Sequence, residues 1–148
     1  MSDAPQRPRR YGDELFRLLV ETVEEYAIFA MDAAGRVIHW NAGAARVTGF
    51  TEEEVIGRTL HVIFTPEDVA AGVPERELEV AAQTGRAEDE RWQVRKDGSR
   101  FWAAGIVVPL READGSVIGY GKILRDRTDV KEVEQSLRGR AQDLAEAD

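Results

Sequence analysis

The chain contains no cysteine. That one absence removes disulfides, thiolate zinc sites, cysteine nucleophiles and cysteine photochemistry together, and it agrees with a reducing compartment. Basic residues are also short, with 20 Lys and Arg against 28 Asp and Glu and a formal net charge of −8. A nucleic-acid partner needs a basic face, because neutralising phosphates dominates such binding. The single basic cluster, Arg7, Arg9 and Arg10, lies in a polar, proline-bearing stretch and reads as solvated charge. Apolar runs stay far below the roughly 20 residues that span a bilayer, and the first ten residues lack the apolar core of a signal peptide. The expectation is a soluble, cytoplasmic chain with no nucleic-acid or membrane partner within these residues. Catalytic signatures are missing too: there is no glycine-rich phosphate loop, no Gly-x-Ser-x-Gly turn and no metal-ligand spacing. Glu52-Glu53-Glu54 and Glu88-Asp89-Glu90 read as capping or solvated charge. No catalysis is expected of these residues, although a hydrolase or isomerase built on a hidden carboxylate pair is the enzyme-class alternative.

What is present is an ordinary globular composition. At 148 residues, 43% of them hydrophobic, the chain is long enough for one domain with appendages and for a core that needs no cross-links. Residues 1–12 read as a disordered tail. Over 13–25 the residues Leu15, Phe16, Leu19, Val20 and Val23 recur at helical spacing, with Asp13 as the N-cap. The period then changes. Ala27–Met31 and Arg36–Trp40, joined by Asp32-Ala33-Ala34-Gly35, read as a β-hairpin. Asn41–Thr48 is helical, and Thr51-Glu52-Glu53-Glu54 matches a capping box that opens another helix. Thr65-Pro66 caps a further turn. Gly72 and Pro74 interrupt, and Glu75–Gln83 forms the main middle helix with Leu78 and Ala82 inward. Three strands follow, 88–95, 100–110 and 117–125, separated by two Asp-Gly turns that are strong hairpin signals. From Asp129 the residues Val130, Val133, Leu137, Ala141 and Leu144 fall at coiled-coil-like spacing up to the end of the sequence. The helix over 129–148 is therefore expected to lead into a further domain.

Several segments in this order resemble the PAS family. They are Ala27-Ile28-Phe29-Ala30-Met31-Asp32, Gly35-Arg36-Val37-Ile38-His39-Trp40-Asn41 and Thr48-Gly49-Phe50-Thr51-Glu52-Glu53-Glu54-Val55-Ile56-Gly57, then Arg95-Lys96-Asp97-Gly98-Ser99-Arg100-Phe101-Trp102, Gly119-Tyr120-Gly121-Lys122 and Arg125-Asp126-Arg127-Thr128. The resemblance covers roughly Phe16 to Thr128. It implies an α+β domain over 26–128 with a five-stranded antiparallel sheet of order 2-1-5-4-3, short helices on one face, a cap helix before it and an output helix after it. It also implies a sensory role, with Asp126 and Thr128 as the junction that passes sheet distortion to the output helix. The tail resembles linkers that lead into sensor histidine kinases of two-component systems.

The resemblance also frames the cofactor question. The segment Gly57–Phe64 is similar to the flavin-adduct motif of LOV photoreceptors, but Leu60 stands at the reactive cysteine position, so the adduct is excluded. Where LOV domains hold the flavin with amides, this chain has Gln93, Ala103 and Leu124, leaving one amide. Redox PAS flavoproteins have a tryptophan near the position of Ala87, from which Trp92 is displaced. Heme PAS sensors use a histidine before the third strand, and none lies between Thr65 and Gly85. A small metabolite, or nothing, is the expected occupant.

The candidate cavity lining is Phe29 and Met31 on the first strand, Leu60 and Phe64, Gln93 on the third strand, Ala103 and Gly105 on the fourth, and Tyr120, Lys122 and Leu124 on the fifth. His39 joins them by alternation with Val37. An inward Lys122 needs a partner, with Glu88, Glu90 or an anionic ligand as candidates. Phe101, Ala103, Gly105 and Val107 share one face of their strand, while Trp102, Ala104, Ile106 and Val108 share the other, so both faces are apolar. The outer face must be covered by the first helix, through Phe16, Leu19 and Val23, or by a second subunit. A homodimer through the N-terminal helix, the sheet face and the C-terminal helix is expected, with a downstream transmitter domain as the other partner. A ligand-free adaptor that only holds dimers together is the alternative.

Overall fold

The structure is a computed structural model that describes residues 6–147. Five strands, β1 (Ala27–Asp32), β2 (Val37–Trp40), β3 (Ala87–Val94), β4 (Arg100–Arg111) and β5 (Val117–Asp126), form one antiparallel sheet of order β2-β1-β5-β4-β3. Between β2 and β3 lie α2 (Ala42–Thr48), α3 (Glu52–Val55), a 3-10 turn at Leu60–Ile63, α4 (Pro66–Ala70) and α5 (Val73–Thr84). The sheet is flanked in sequence by α1 (Gln6–Thr22) and α6 (Thr128–Ala147).

Local chemistry explains the boundaries. Asn41 caps α2 by accepting from the Ala44 amide, and the chain turns out of α2 through Gly49 at φ +81°. Thr51 and Glu54 make the expected reciprocal capping box on α3. Thr65 caps α4 ahead of Pro66, whose missing N–H is no loss in the first turn. Gly85 ends α5 in the left-handed region.

The expected α5 boundary shifts. The helix starts at Val73, with Pro74 in its first turn, where proline is tolerated. Its inward stripe is consequently Val73, Glu77 and Ala81 at four-residue spacing, with Leu78 and Ala82 flanking it half-buried. The middle helix thus carries a carboxylate into the core.

The first helix also departs from expectation. It starts at Gln6 rather than at residue 13, so Asp13 is internal rather than capping, and Arg7, Arg9 and Arg10 are helical. Pro8 falls in the first turn, whose N–H groups have no helical partner in any case. The rest of the expected tail, 1–5, lies outside the described residues. The helix ends at Thr22 rather than at residue 25 because Asn41 captures the chain there. Its Nδ2 donates to the carbonyls of Val20, Val23 and Tyr26, while its Oδ1 accepts from the Ile28 and Ala44 amides. Asn41 is buried.

The core lies between the sheet and the short helices. Phe29, Met31, Val37, Phe101, Val107 and Leu124 come from strands; Ala44, Val55, Leu60, Ile63, Phe64 and Ala81 come from the helical layer. The other sheet face stays open. Leu15, Phe16 and Leu19 of α1 are exposed rather than folded over it, and Val108, Leu110 and Ile123 are also exposed.

Candidate functional site

Strand alternation on β3 gives the interior an unusual wall. Ala87, Asp89, Arg91 and Gln93 are turned toward the helices, while Glu88 and Glu90 are exposed. On the central strand β5, Tyr120, Lys122 and Leu124 face the same interior and are buried. Lys122 is 1% exposed, and its partner is Glu77 of α5, with Nζ 3.3 Å from Oε1. This corrects the expected pairing with Glu88 or Glu90. Both of those point outward, where Glu88 meets Arg86 and Glu90 accepts from Trp102 Nε1. The error followed from reading α5 two residues late, which hid the inward phase of Glu77.

The lysine stem fills space that the small residues of β4 leave open. A side-chain carbon added at Gly105 would meet Leu124 Cβ at 3.3 Å and Lys122 Cε at 3.5 Å. The ammonium lies 4.8 Å from the centroid of the Phe64 ring, a cation–π distance. Phe64 is also joined to the third strand by an isolated backbone bridge to Gln93. Beyond the ion pair itself, Lys122 Nζ and Glu77 Oε2 make no hydrogen bond among the described residues, and neither does Gln93 Oε1, which lies six residues farther along the sheet by the register of β4. Burial pushes the Glu77 carboxyl up from its ordinary value and Asp89 adds to this, while Lys122 and Arg91 pull it back only in part. Toward the surface, Arg91 joins Asp89 at 2.5 Å and Asp68 of α4 at 3.0 Å.

Of the expected lining, Phe29, Met31, Leu60, Phe64, Gln93, Ala103, Tyr120, Lys122 and Leu124 are buried, and Gly105 contributes backbone beneath Lys122. His39 is not among them. The β1–β2 ladder pairs Met31 with Val37, Ala30 with His39 and Phe29 with Trp40, so an extra residue at Ile38 breaks the alternation. His39 therefore shares the outer face with Ala30 and approaches Glu21 of α1 at 3.6 Å. The bulge keeps Trp40 inside, its ring tilted against that of Phe29 with centroids 4.7 Å apart. His61 is also peripheral, bonded to Thr59 at 2.7 Å and Glu75 at 2.6 Å.

A second site lies where β5 ends. Asp126 Oδ1 accepts from the Thr128 amide and hydroxyl, and Oδ2 accepts from Arg95 Nη2 at 2.6 Å. The Thr128 hydroxyl accepts from the Trp102 amide at 2.9 Å. Burial alone raises the Asp126 carboxyl, but the bonds from Thr128 and Arg95 outweigh it and hold the group below its ordinary value. Arg95 also donates to the Val47 carbonyl of α2. Farther along α6, Lys131 Nζ lies 4.2 Å from the Trp102 ring centroid. The expected junction residues thus meet, and sequence reasoning missed Arg95 and Lys131, whose partners lie far away in the chain.

A sheet of order 2-1-5-4-3, roofed by short helices around a polar-lined interior and joined by its last strand to an outgoing helix, defines a sensory-domain architecture. A family model described as PAS fold matches residues 14–127, and the chain belongs to that family. It is 43% identical over 124 residues to the two-component system protein A of Emericella nidulans, a match that covers 84% of this chain and 18% of that protein. Phototropin-2 of rice (Oryza sativa subsp. japonica) is 33% identical over 85 residues, covering 57% of this chain and 9% of that protein. The chain therefore spans less than a fifth of these relatives. Among solved structures, the PAS domain of a Colwellia psychrerythraea protein superposes with a TM-score of 0.72 at 24% identity, covering 78% of this chain and 97% of that one. A domain of a sensory box sensor histidine kinase/response regulator from Geobacter sulfurreducens gives 0.67 at 22%, covering 79% and 96%. Among the described residues no helix is long and apolar enough to cross a membrane.

Proposed function

We propose that this PAS domain is the input module of a cytoplasmic two-component sensor histidine kinase, without catalysis of its own, and that it reports changes in its polar interior through α6. The observation that carries this reading is the sharing of Asp126 and Thr128 between the sheet and the helix. Lys122 and Asp126 lie on the same strand, and Thr128 ties the first turn of α6 to β4 at Trp102. A shift of β5 against β4 cannot leave that turn unmoved, because closely packed elements rearrange as units. The likeness to a two-component protein supports the choice of output.

Dimerisation belongs to the same proposal. The outer sheet face carries a groove of about 650 Å³ with Ala104, Ile106 and Ile123 in its lining, Glu88 and Glu90 on β3 and Arg125 and Arg127 on the opposite side. A second copy of α1, with Leu15, Phe16 and Leu19 exposed beside Glu14 and Arg17, offers an apolar surface and both charges to it. In α6 the exposed Val130, Val133, Leu137 and Leu144 continue the seam.

The test is fusion of α6, in continuous helical phase, to a dimeric histidine kinase transmitter. Thr128→Ala and Asp126→Asn should change autophosphorylation of the fusion while the domain stays folded. Identical kinase output from the parent fusion and both variants would reject transmission through this junction. Light scattering of Phe16→Glu/Leu19→Glu should show a shift from dimer to monomer, and an unchanged mass would reject the interface.

A further inference from the structure

Apart from Gly139, residues 129–145 of α6 are exposed with one exception, Lys131, whose side chain is only 15% exposed. Lysine is among the residues least often covered on a solvated helix. Its ammonium lies 4.2 Å from the centroid of the Trp102 ring. A lysine at that distance offers its charge to the π face, while its methylene stem shields apolar surface. Glu134 does not account for the placement. Its carboxylate is 3.8 Å from Lys131 Nζ and is engaged more closely by Arg138 at 2.7 Å, and ion pairs at such exposure contribute little.

The ring of Trp102 is itself fixed. Its indole N–H donates to Glu90 at 3.3 Å, and Trp92 packs edge-on against it with centroids 5.3 Å apart. The backbone of the same residue carries the start of α6. Its amide donates to the Thr128 hydroxyl, and its carbonyl accepts from the Arg127 amide at 2.7 Å. One residue of β4 thus holds the helix twice, by its backbone at the first turn and by its ring at the next. A helix tied only at its first turn can swing and roll about that point; a second contact one turn on restrains both. Successive residues lie about 100° apart around a helix axis, so Thr128 and Lys131 fall within about 60° of each other. The exposed Val130, Val133, Leu137 and Leu144 form a stripe centred about 160° away. The domain therefore grips the polar face of α6 and turns the apolar stripe outward, where a second helix can pack on it. We infer that Lys131 is a positioning residue of the output helix: seated on Trp102, it fixes the rotational phase at which α6 leaves the sheet. This rests on the reading of α6 as the output helix, but its phase is measured without any output.

The measurement is residual dipolar coupling of the α6 amides in the isotope-labelled 148-residue chain, with the ε-methylene shift of Lys131 as a local reporter. In the parent, those protons should lie upfield of the same protons of Lys96, under the ring current of Trp102, and the couplings of residues 132–144 should fit one orientation relative to the sheet. Lys131→Met keeps the stem and deletes the charge. It should shrink the α6 couplings relative to those of the sheet, while parental sheet couplings show the fold intact. Trp102→Leu should do the same, and if that variant does not fold, the Lys131 series decides alone. Lys131→Arg should restore the parental couplings, because a guanidinium also stacks on an aromatic face. Parental α6 couplings in Lys131→Met, no recovery in Lys131→Arg, or no upfield shift in the parent would each overturn the inference. The proposed function fails differently. If Lys131→Met changed the couplings but left autophosphorylation of the transmitter fusion at the parental level, the positioning role would stand and α6 would be rejected as the carrier of output.

Discussion

The Lys122 ammonium and the Glu77 carboxylate meet 3.3 Å apart in the interior, joining the central strand to α5, with side-chain exposures of 1% and 8%. A pair this deep gains attraction but loses hydration at both ends, so its net contribution is small while its disruption is severe. Lys122→Met alone should destabilise the domain by about 3–5 kcal/mol, because an uncompensated carboxylate remains. Lys122→Met combined with Glu77→Leu should recover most of that loss or exceed the parent stability. Urea unfolding of the two single variants and the double variant measures this coupling, and simple additivity would show that the pair is not coupled.

The raised Glu77 carboxyl sets a pH dependence of definite sign. The folded state holds its proton more tightly than the unfolded state, whose value is the ordinary 4.5. As pH climbs above that value, the unfolded chain loses the proton first, so Glu77 contributes a loss of stability from there up to its raised folded value. Below 4.5 the contribution is complete and flat. Stability of the parent minus that of Glu77→Gln should therefore fall across the window above 4.5, measured by denaturant midpoints at constant ionic strength. A difference that rises with pH would mean that Lys122 dominates burial.

How much of this was legible in sequence depends on the range of the signal. Capping residues act within four positions, so Thr51–Glu54 and Thr65 were readable, and two Asp-Gly turns set the last three strands. The output pair Asp126 and Thr128 was equally local. His39 was misread because a bulge at Ile38 breaks strict alternation, and a bulge forced by keeping Trp40 against Phe29 leaves no mark in the strand itself. Glu77 was missed because a proline two residues into α5 looked like a barrier instead of a first-turn residue. Its partner is 45 positions away, and nothing in one sequence announces which carboxylate an inward lysine will meet.

Asn41 uses one side chain to hold three elements, donating to Val20, Val23 and Tyr26 carbonyls and accepting from Ile28 and Ala44 amides. Asn41→Asp keeps the acceptor and deletes the donor, placing a carboxylate oxygen among three carbonyls. Each deserted buried group costs about 1–3 kcal/mol, so this nearly isosteric change should be among the most destabilising in the chain. Hydrogen exchange should show α1 losing protection before the sheet does. Equal protection in both proteins would mean that the apolar contacts of α1 hold it in place without the amide.

The same crossing makes Gly43 intolerant of any side chain. A Cβ there would sit 1.9 Å from the Tyr26 carbonyl oxygen and 2.7 Å from its carbon. Both atoms are backbone, so no rotamer change relieves the overlap. Gly43→Ala should destabilise by about 1–3 kcal/mol or more, even though alanine is the better helix former. Gly139→Ala, in α6 with open space around it, should stabilise slightly. Thermal unfolding of the two variants separates close approach from helix propensity.

Asp126 divides its two oxygens between the sheet's exit and Arg95, just past the end of β3 on the far side of β4, and that division predicts how the junction fails. Oδ1 receives the Thr128 amide at 2.9 Å, and Oδ2 receives Arg95 at 2.6 Å. In Asp126→Asn the amide can still accept from Thr128, but its NH2 then confronts the Arg95 guanidinium donor to donor. Arg95 loses its only carboxylate partner among the described residues, and its bond to the Val47 carbonyl no longer has that anchor. The cost should be about 1.5–3 kcal/mol, the range for a hydrogen bond to a charged group, and it should concentrate at the first turn of α6. Amides of Thr128–Lys131 should exchange faster while those of β1 and β5 keep their protection. Acid should mimic the variant. The folded Asp126 value lies below its ordinary 3.8, so its stabilisation is complete above that pH and is lost as pH falls through the depressed value. Parent and variant should therefore converge in stability in strong acid. A gap that persists there would show that the aspartate acts through packing rather than through charge.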